Sequence, residues 1–374
     1  MRGKEISLFK GHKFSREMDK EFTKTLKSRV NEYFKSNNIS KHANANMVIK
    51  TLFMFALYFV PYFLMVFGVV QNPWLIYSMW LIMGLGMAGI GMCIMHDANH
   101  GAYSKYPRLN KILGYTMNLI GANANNWKVQ HNVLHHTYTN IAEVDEDLNT
   151  PSLLRFAPSK EYRDIHRFQH LYAWFFYGIL SLNWVTFKDF KQIRRYRKMG
   201  LLKQGESNTR NWIDMIIWKI IYYSYIIVIP MIVLPTPWWL VILGFVSLHF
   251  VTGSVLSIIF QAAHVMPDIQ FPLPNDEGKI DNNWTVHQLL TTTNFASKSR
   301  IFSWMIGGLN YQVEHHLFSN ICHVHYPKIS KIVSQTAKEF GIPYNVEGSF
   351  IKVIGKHIQL LKDLGRSRDY LKVA

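Results

Sequence analysis

The chain has 374 residues, 49% of them hydrophobic and 14% aromatic, and its 41 Lys and Arg outweigh 24 Asp and Glu for a formal charge of +17. A surplus of that size fits nucleic acid, but the basic residues sit in blocks flanking two long uncharged tracts and form no basic-aromatic array, which excludes that partner. The 2 cysteines, Cys93 and Cys322, form no CxxC pair and no disulfide framework; they read as small buried hydrophobes in a reducing environment.

Residues 1–47 hold 11 Lys and Arg and no compact apolar core with a cleavage site, so no signal peptide is expected. Their later part, 12–47, reads as a basic amphipathic helix at a membrane surface. Between Lys50 and Asp97 follow 46 residues without Lys, Arg, Asp or Glu. That is twice the roughly 20 residues needed to cross a bilayer core. Gln71-Asn72-Pro73 breaks the tract near its middle and Trp74 marks an interface there, so the tract predicts a hairpin with spans at 50–70 and 74–95.

His96-Asp97-Ala98-Asn99-His100 comes at the end of the second span, and a helix would present both histidines on one side. The apolar run 112–122 reads as interfacial. Next comes Gln130-His131-Asn132-Val133-Leu134-His135-His136, three imidazoles in six residues. On an α-helix His131 and His135 share a face, and His136 lies about 100° further round.

Leu171 to Phe187 is 17 uncharged residues, close to a fifth span. A crossing there would place the 8 Lys and Arg of 188–210 outside, against the positive-inside rule, so the segment is read as interfacial or re-entrant. A second uncharged tract of 48 residues separates Lys219 from Asp268, is broken at Pro235-Thr236-Pro237, and predicts spans at 213–234 and 238–262. It ends on His264. After a polar loop at 269–280 stands Asn310-Tyr311-Gln312-Val313-Glu314-His315-His316, and residues 326–372 read as amphipathic helices.

The expected architecture is thus an all-α integral membrane protein with four transmembrane helices in two hairpins and a helical cap. It divides into a basic segment 1–47, hairpin 48–96, a cytoplasmic and interfacial region 97–211, hairpin 212–264 and a C-terminal region 265–374. Charge bias puts both termini and the cap on the cytoplasmic side.

Eight of the 17 histidines, His96, His100, His131, His135, His136, His264, His315 and His316, project to one depth at that boundary. A single histidine there is ordinarily a packed core residue; eight in helical pairs from four segments are not. They exceed the four ligands of one tetrahedral zinc and suit two metal ions. Ligand softness leaves zinc open beside iron.

The boxes HDANH, HNVLHH and QVEHH, with Trp127-Lys128-Val129-Gln130-His131 and Thr292-Thr293-Asn294-Phe295, resemble those of membrane-bound fatty acid desaturases over about residues 50 to 345. The glutamine opening the third box resembles the front-end subgroup, which inserts a double bond between an existing one and the carboxyl end. The resemblance implies two irons held by the eight histidines, with His264 as the additional ligand at the end of the fourth span and Gln312 beside the iron. It implies dioxygen, two external electrons and an acyl-lipid or acyl-CoA substrate. An unactivated C–H bond offers no acidic proton, so the chemistry must come from the metal while the protein positions the chain.

Asp97, Asp145 and Asp147 are candidates to orient the imidazoles, against the plainer reading of 143–147 as a solvated acidic turn. His287, His323 and His325 read as packing or headgroup contacts, and His170 and His249 as structural. The HPGG haem motif of a fused cytochrome b5 is absent from these residues, so a separate ferredoxin or cytochrome b5 is the expected donor, attracted by the basic face. A hydroxylase or acetylenase of the same fold is the rival within the family. A zinc hydrolase lacks its HExxH here, and a metal transporter would place its ligands at mid-membrane.

Overall fold

The computed structural model describes residues 9, 11–142, 144–148, 152–202 and 208–367, and it is mostly helical. Helix α1 (Lys20–Ser36) starts after Asp19, held at φ 52°, and carries Phe22, Leu26 and Val30 four residues apart on one face. The sequence sends this stripe to a membrane surface. In the structure it packs against Ile329, Val333 and Ala337 of a C-terminal helix. Each stripe is narrow alone; together they close a small core.

Helices α2 (Ala45–Val66) and α3 (Pro73–Asn99) form the first apolar pair. The Asn44 side chain accepts from Met47 N at 3.2 Å and starts α2 five residues before the expected boundary. Lys50, whose charge would mark the membrane edge, lies inside the helix and is buried. Asn72 caps α3 and Pro73 opens it; the helix then passes through a π-helical turn at Ile90–Met95 and delivers His96 in its last turn. A Cβ at Gly86 would lie 2.6 Å from Tyr58 N, so only glycine lets the two helices approach this closely.

Short α4 (Pro107–Gly114) and the π-helical α5 (Lys128–His135) follow. Then α6 (Gln169–Asn183), which is not among the four helices long and apolar enough to cross a membrane, packs along the fourth of them, and α7 (Asp189–Lys198) continues it beyond a π turn. The second apolar pair is α8 (Thr209–Val233) and α9 (Trp238–His264). A Cβ at Gly253 of α9 would sit 2.4 Å from the Gly178 carbonyl oxygen of α6.

Two charged or titratable groups within this apolar bundle are paired, as a medium without water favours. Lys219 donates to Asp189 Oδ2 at 2.7 Å and to the carbonyls of Gly121 and Val185. His249 meets the Ser181 hydroxyl at 3.0 Å and the Tyr222 hydroxyl at 2.7 Å, so it is structural, as its sequence context implies.

The C-terminal region adds α10 (Trp284–Leu290), α11 (Gln312–Leu317), α12 (Tyr326–Glu339) and α13 (Phe350–Leu364). Two parallel pairs of two-residue strands pin it, β1 (Lys13–Phe14) with β2 (Lys279–Ile280) and β3 (Asn294–Phe295) with β4 (Val346–Glu347). Helix α13 docks through His357, which donates to Val265 O at 2.8 Å and accepts from the Tyr177 hydroxyl at 2.7 Å.

Candidate metal centre

The C-terminal ends of α3 and α9 lie together, and the three boxes converge on them. His96 and His100 occupy consecutive turns with ring centroids 4.9 Å apart, as helical spacing predicts. The second box departs from that spacing. Helix α5 is π-helical, and His136 N donates to His131 O at 2.9 Å, five residues back. His131 is therefore brought to His136 as well, their Nε2 atoms 3.2 Å apart, while its ring stays stacked on that of His135 with centroids 5.3 Å apart. In the third box the neighbours His315 and His316 diverge by about 100° round α11.

Two groups result. His96, His100, His131 and His315 bring nitrogens within 4.8 Å of one another, and His135, His264 and His316 do the same. His136 stands between them, its Nε2 2.9 Å from His315 Nε2 and its ring stacked 4.3 Å from that of His316. All eight predicted histidines are in the centre. Gln312 is beside it, next to His264 and buried.

The outer nitrogens decide the tautomers. His135 Nδ1 donates to both oxygens of Asp145, at 3.0 and 3.1 Å. His316 Nδ1 donates to Gln288 Oε1 at 2.9 Å, His315 Nδ1 to the Tyr326 hydroxyl at 3.3 Å, and His264 Nδ1 to Thr291 O at 3.4 Å. With these four protons committed outward, the Nε2 lone pairs of those rings face into the two groups, while the Nδ1 of His136 is buried without a partner. Among the described residues, His100 Nε2, His135 Nε2 and Gln312 Nε2 are buried without a hydrogen-bond partner. Lone pairs crowded at these distances, with buried orphans beside them, fit metal cations.

Burial, then neighbouring imidazoles, holds His100, His131, His136, His315 and His316 well below the ordinary histidine range, so they are neutral and free to ligate. Burial acts the same way on His135, but the carboxylates of Asp145 and Asp147 outweigh it and raise the group to about 9. The carboxylates thus favour positive charge on this ring, and with Nδ1 bonded to Asp145 it is Nε2, buried without a partner, that faces the other imidazoles.

The acidic turn is thus more than solvated surface. Asp145 is fully buried and also accepts from Asn140 N and Asp147 N, both at 2.9 Å. Asp147 lies 3.5 Å from His135 and accepts from Gln130 Nε2 at 2.7 Å. His287 bonds Thr139 O and His325 bonds His42 O, both packing roles. Gln288 was not legible as a site residue: besides His316 it holds the His136 carbonyl at 3.1 Å, joining the second box to the third, and no spacing marks it.

A cavity of about 620 Å³ passes this centre. Trp127 and His131 form part of its wall, Met87, Gly91, Leu256 and Phe260 line it deeper in the bundle, and Glu146, Lys188 and Arg195 stand at its polar end. That volume lies in the range of small-molecule clefts, about 300–1,000 Å³.

Four apolar helices under a polyhistidine centre, with an apolar cleft beside it, define a membrane metalloenzyme. The fatty acid desaturase family model matches residues 72–348, and the chain belongs to that family. It is similar to the sn-1 linoleoyl-lipid 6-desaturase of Arthrospira platensis, 36% identical over 346 residues that cover 92% of each chain. It is 34% identical to the acyl-lipid (8-3)-desaturase of Physcomitrium patens over 352 residues, 93% of this chain and 72% of that one. Delta(5) fatty acid desaturase A of Dictyostelium discoideum is 30% identical over 374 residues, 98% and 79% of the two chains. The protein is a fatty acid desaturase, an oxidoreductase of lipid metabolism working with a metal cofactor, a lipid substrate and an electron donor.

Proposed function

We propose that this desaturase is a di-iron enzyme of the front-end type acting on acyl chains esterified in membrane lipid. The observation that carries the reading is the division of eight imidazoles into two groups joined by His136, beside an apolar cavity that includes His131. His96, His100, His131 and His315 would hold one iron and His135, His264 and His316 the other, with His136 between them and Gln312 at the second. Bound iron supplies the dioxygen chemistry that takes hydrogen from an unactivated methylene.

The chain's own residues do the rest. Trp127, Leu256 and Phe260 exclude water and hold the acyl chain against the second box. The polar end of the cavity begins one residue from His131, where Gln130 bonds Asp147 and Gln192, each at 2.7 Å. Its apolar end runs to Met87, Gly91 and Thr252. A short carboxyl-side segment and a long methyl-side segment fit that layout, which supports a cis double bond on the carboxyl side of an existing one. The relatives named as lipid-linked 6- and (8-3)-desaturases support the carrier. Charge bias supports a cytoplasmic centre and termini and the five-part division of the chain.

The test is expression in a host fed linoleate, with intact lipids and acyl-CoA resolved by mass spectrometry over time. A new carboxyl-side double bond is expected first in intact lipid. Appearance first in acyl-CoA would overturn the carrier, and gain of oxygen without loss of two hydrogens would make the enzyme a hydroxylase.

Reduction of dioxygen to two waters takes two hydrogens from the substrate and needs two more electrons and protons. A separate acidic carrier, a ferredoxin or cytochrome b5, would deliver the electrons at a recess of about 730 Å³ with His100 among its lining residues and exposed Lys41, Lys105, Lys111 and Arg210 around it. Attraction between such faces raises the rate of encounter. Lys105→Glu with Lys111→Glu is expected to slow oxidation of a reduced cytochrome b5 haem domain about tenfold at low salt, with the gap closing as salt is added. An unchanged rate would place the donor elsewhere.

A further inference from the structure

Outside the boxes, one chain of buried polar side chains reaches the centre from an unexpected side. Lys50 sits in the second turn of α2, with 2% of its surface exposed, on a helix that carries no other charge. Its Nζ donates to His323 Nε2 at 2.6 Å. That contact sets the tautomer: Nε2 accepts, so Nδ1 carries the proton, and it donates to Asp97 Oδ2 at 2.9 Å. The main-chain N–H of His323 donates to the same oxygen at 3.1 Å. The other carboxylate oxygen, Oδ1, lies 4.0 Å from His96 Nδ1. Three distant segments meet here: the first apolar helix, the turn after the third box, and the first box.

A lysine buried in an apolar helix is costly unless its charge is matched, and a packing role would be filled as well by Met or Leu. The match is supplied by Asp97 through an imidazole that can bond in only one orientation. The same bonds fix the carboxylate: two donors from His323 hold one oxygen, which leaves the other directed at the first box. Ligating imidazoles depend on such partners for ring orientation.

We propose that Lys50 and His323 are positioning residues of the metal centre, holding the Asp97 carboxylate so that His96 presents Nε2 inward. The assignment rests on the reading of His96 as a ligand. It gives His323 a role that its place in a short HxH turn does not disclose, and it makes α2 part of the centre although that helix contributes no histidine to it.

The experiment compares the iron-loaded full chain with Lys50→Met, Lys50→Arg, His323→Leu and His323→Gln, with His96→Ala as reference. The readouts are membrane yield, iron per chain, the rate at which a ferrous chelator strips iron, and the Mössbauer spectrum. Lys50→Met and His323→Leu are expected to lose iron at least about tenfold faster than the parent, the size of effect seen when such outer partners are removed. One iron signal should shift in both. Lys50→Arg restores a cation, and the amide introduced by His323→Gln both accepts from Lys50 and donates to Asp97, so these two variants should recover most of the parent's retention. The double variant Lys50→Met with His323→Leu should be no worse than the poorer single, because both cut one path.

Parent-like stripping and spectrum in Lys50→Met and His323→Leu would overturn the proposal, and so would a loss that neither conservative variant repairs, which is a packing defect. If one of the two disruptive variants fails to reach the membrane, the other carries the test. Parent-like retention in His96→Ala would instead remove His96 from the ligand set, a separate failure.

Discussion

His315→Ala and His316→Ala are each expected to abolish double-bond formation, and to do so by emptying different irons. The two residues are neighbours on α11, yet His315 lies among His96, His100 and His131 and His316 faces His264 at 3.2 Å. Alanine at either position removes one inward lone pair and leaves the facing imidazoles without a common partner. Activity should fall by at least about a hundredfold, beyond the 10–100-fold that loss of an outer partner brings. Iron should drop from two per chain towards one, and the Mössbauer signals lost should differ between the variants. His136→Ala, between the groups, should disturb both signals. Loss of the same signal from both neighbours would refute the division, and retained activity in either would remove that residue from the centre.

Asp145→Asn is the second large effect. Both carboxylate oxygens accept from His135, and the main chain of Asn140 and Asp147 donates to them as well. Asparagine offers one oxygen and turns an N–H₂ towards donors, in a position with no access to water. The imidazole then loses its orienting partner, and iron affinity should fall about 10–100-fold in competition with a chelator. Asp147 is partly exposed and 3.5 Å away, so Asp147→Asn should cost far less. Equal losses from the two would mean that the acidic turn acts through its summed charge rather than through the bond to His135.

The spans were legible because charge is forbidden in hydrocarbon: two uncharged tracts, each broken by Pro, correspond to α2 with α3 and α8 with α9. Their ends were less so. Lys50 carries the mark of a boundary but is buried in protein, where His323 accepts from it in place of water. The candidate ligands were legible as residues, through their number and pairing, but not as groups. Reading α5 with 3.6 residues per turn puts His131 with His135 alone; the π turn adds a residue to the cycle and brings His136 to His131 as well. Periodicity arguments assume the common helix, and a π turn has no composition of its own. Gln288 and the docking of α1 on α12 depend on contacts between segments far apart in the chain, which no local pattern encodes.

Helix α6 and its continuation are fastened to the spans by Ser181 to His249 and by Asp189 to Lys219, not by oil-like contact alone. In hydrocarbon the alternative to each of these bonds is no partner at all. A desaturase alters the order and thickness of the very solvent it is dissolved in as its products accumulate. The wall of its cleft is moored to protein, so the seat of the reaction does not drift with the medium that the reaction remakes.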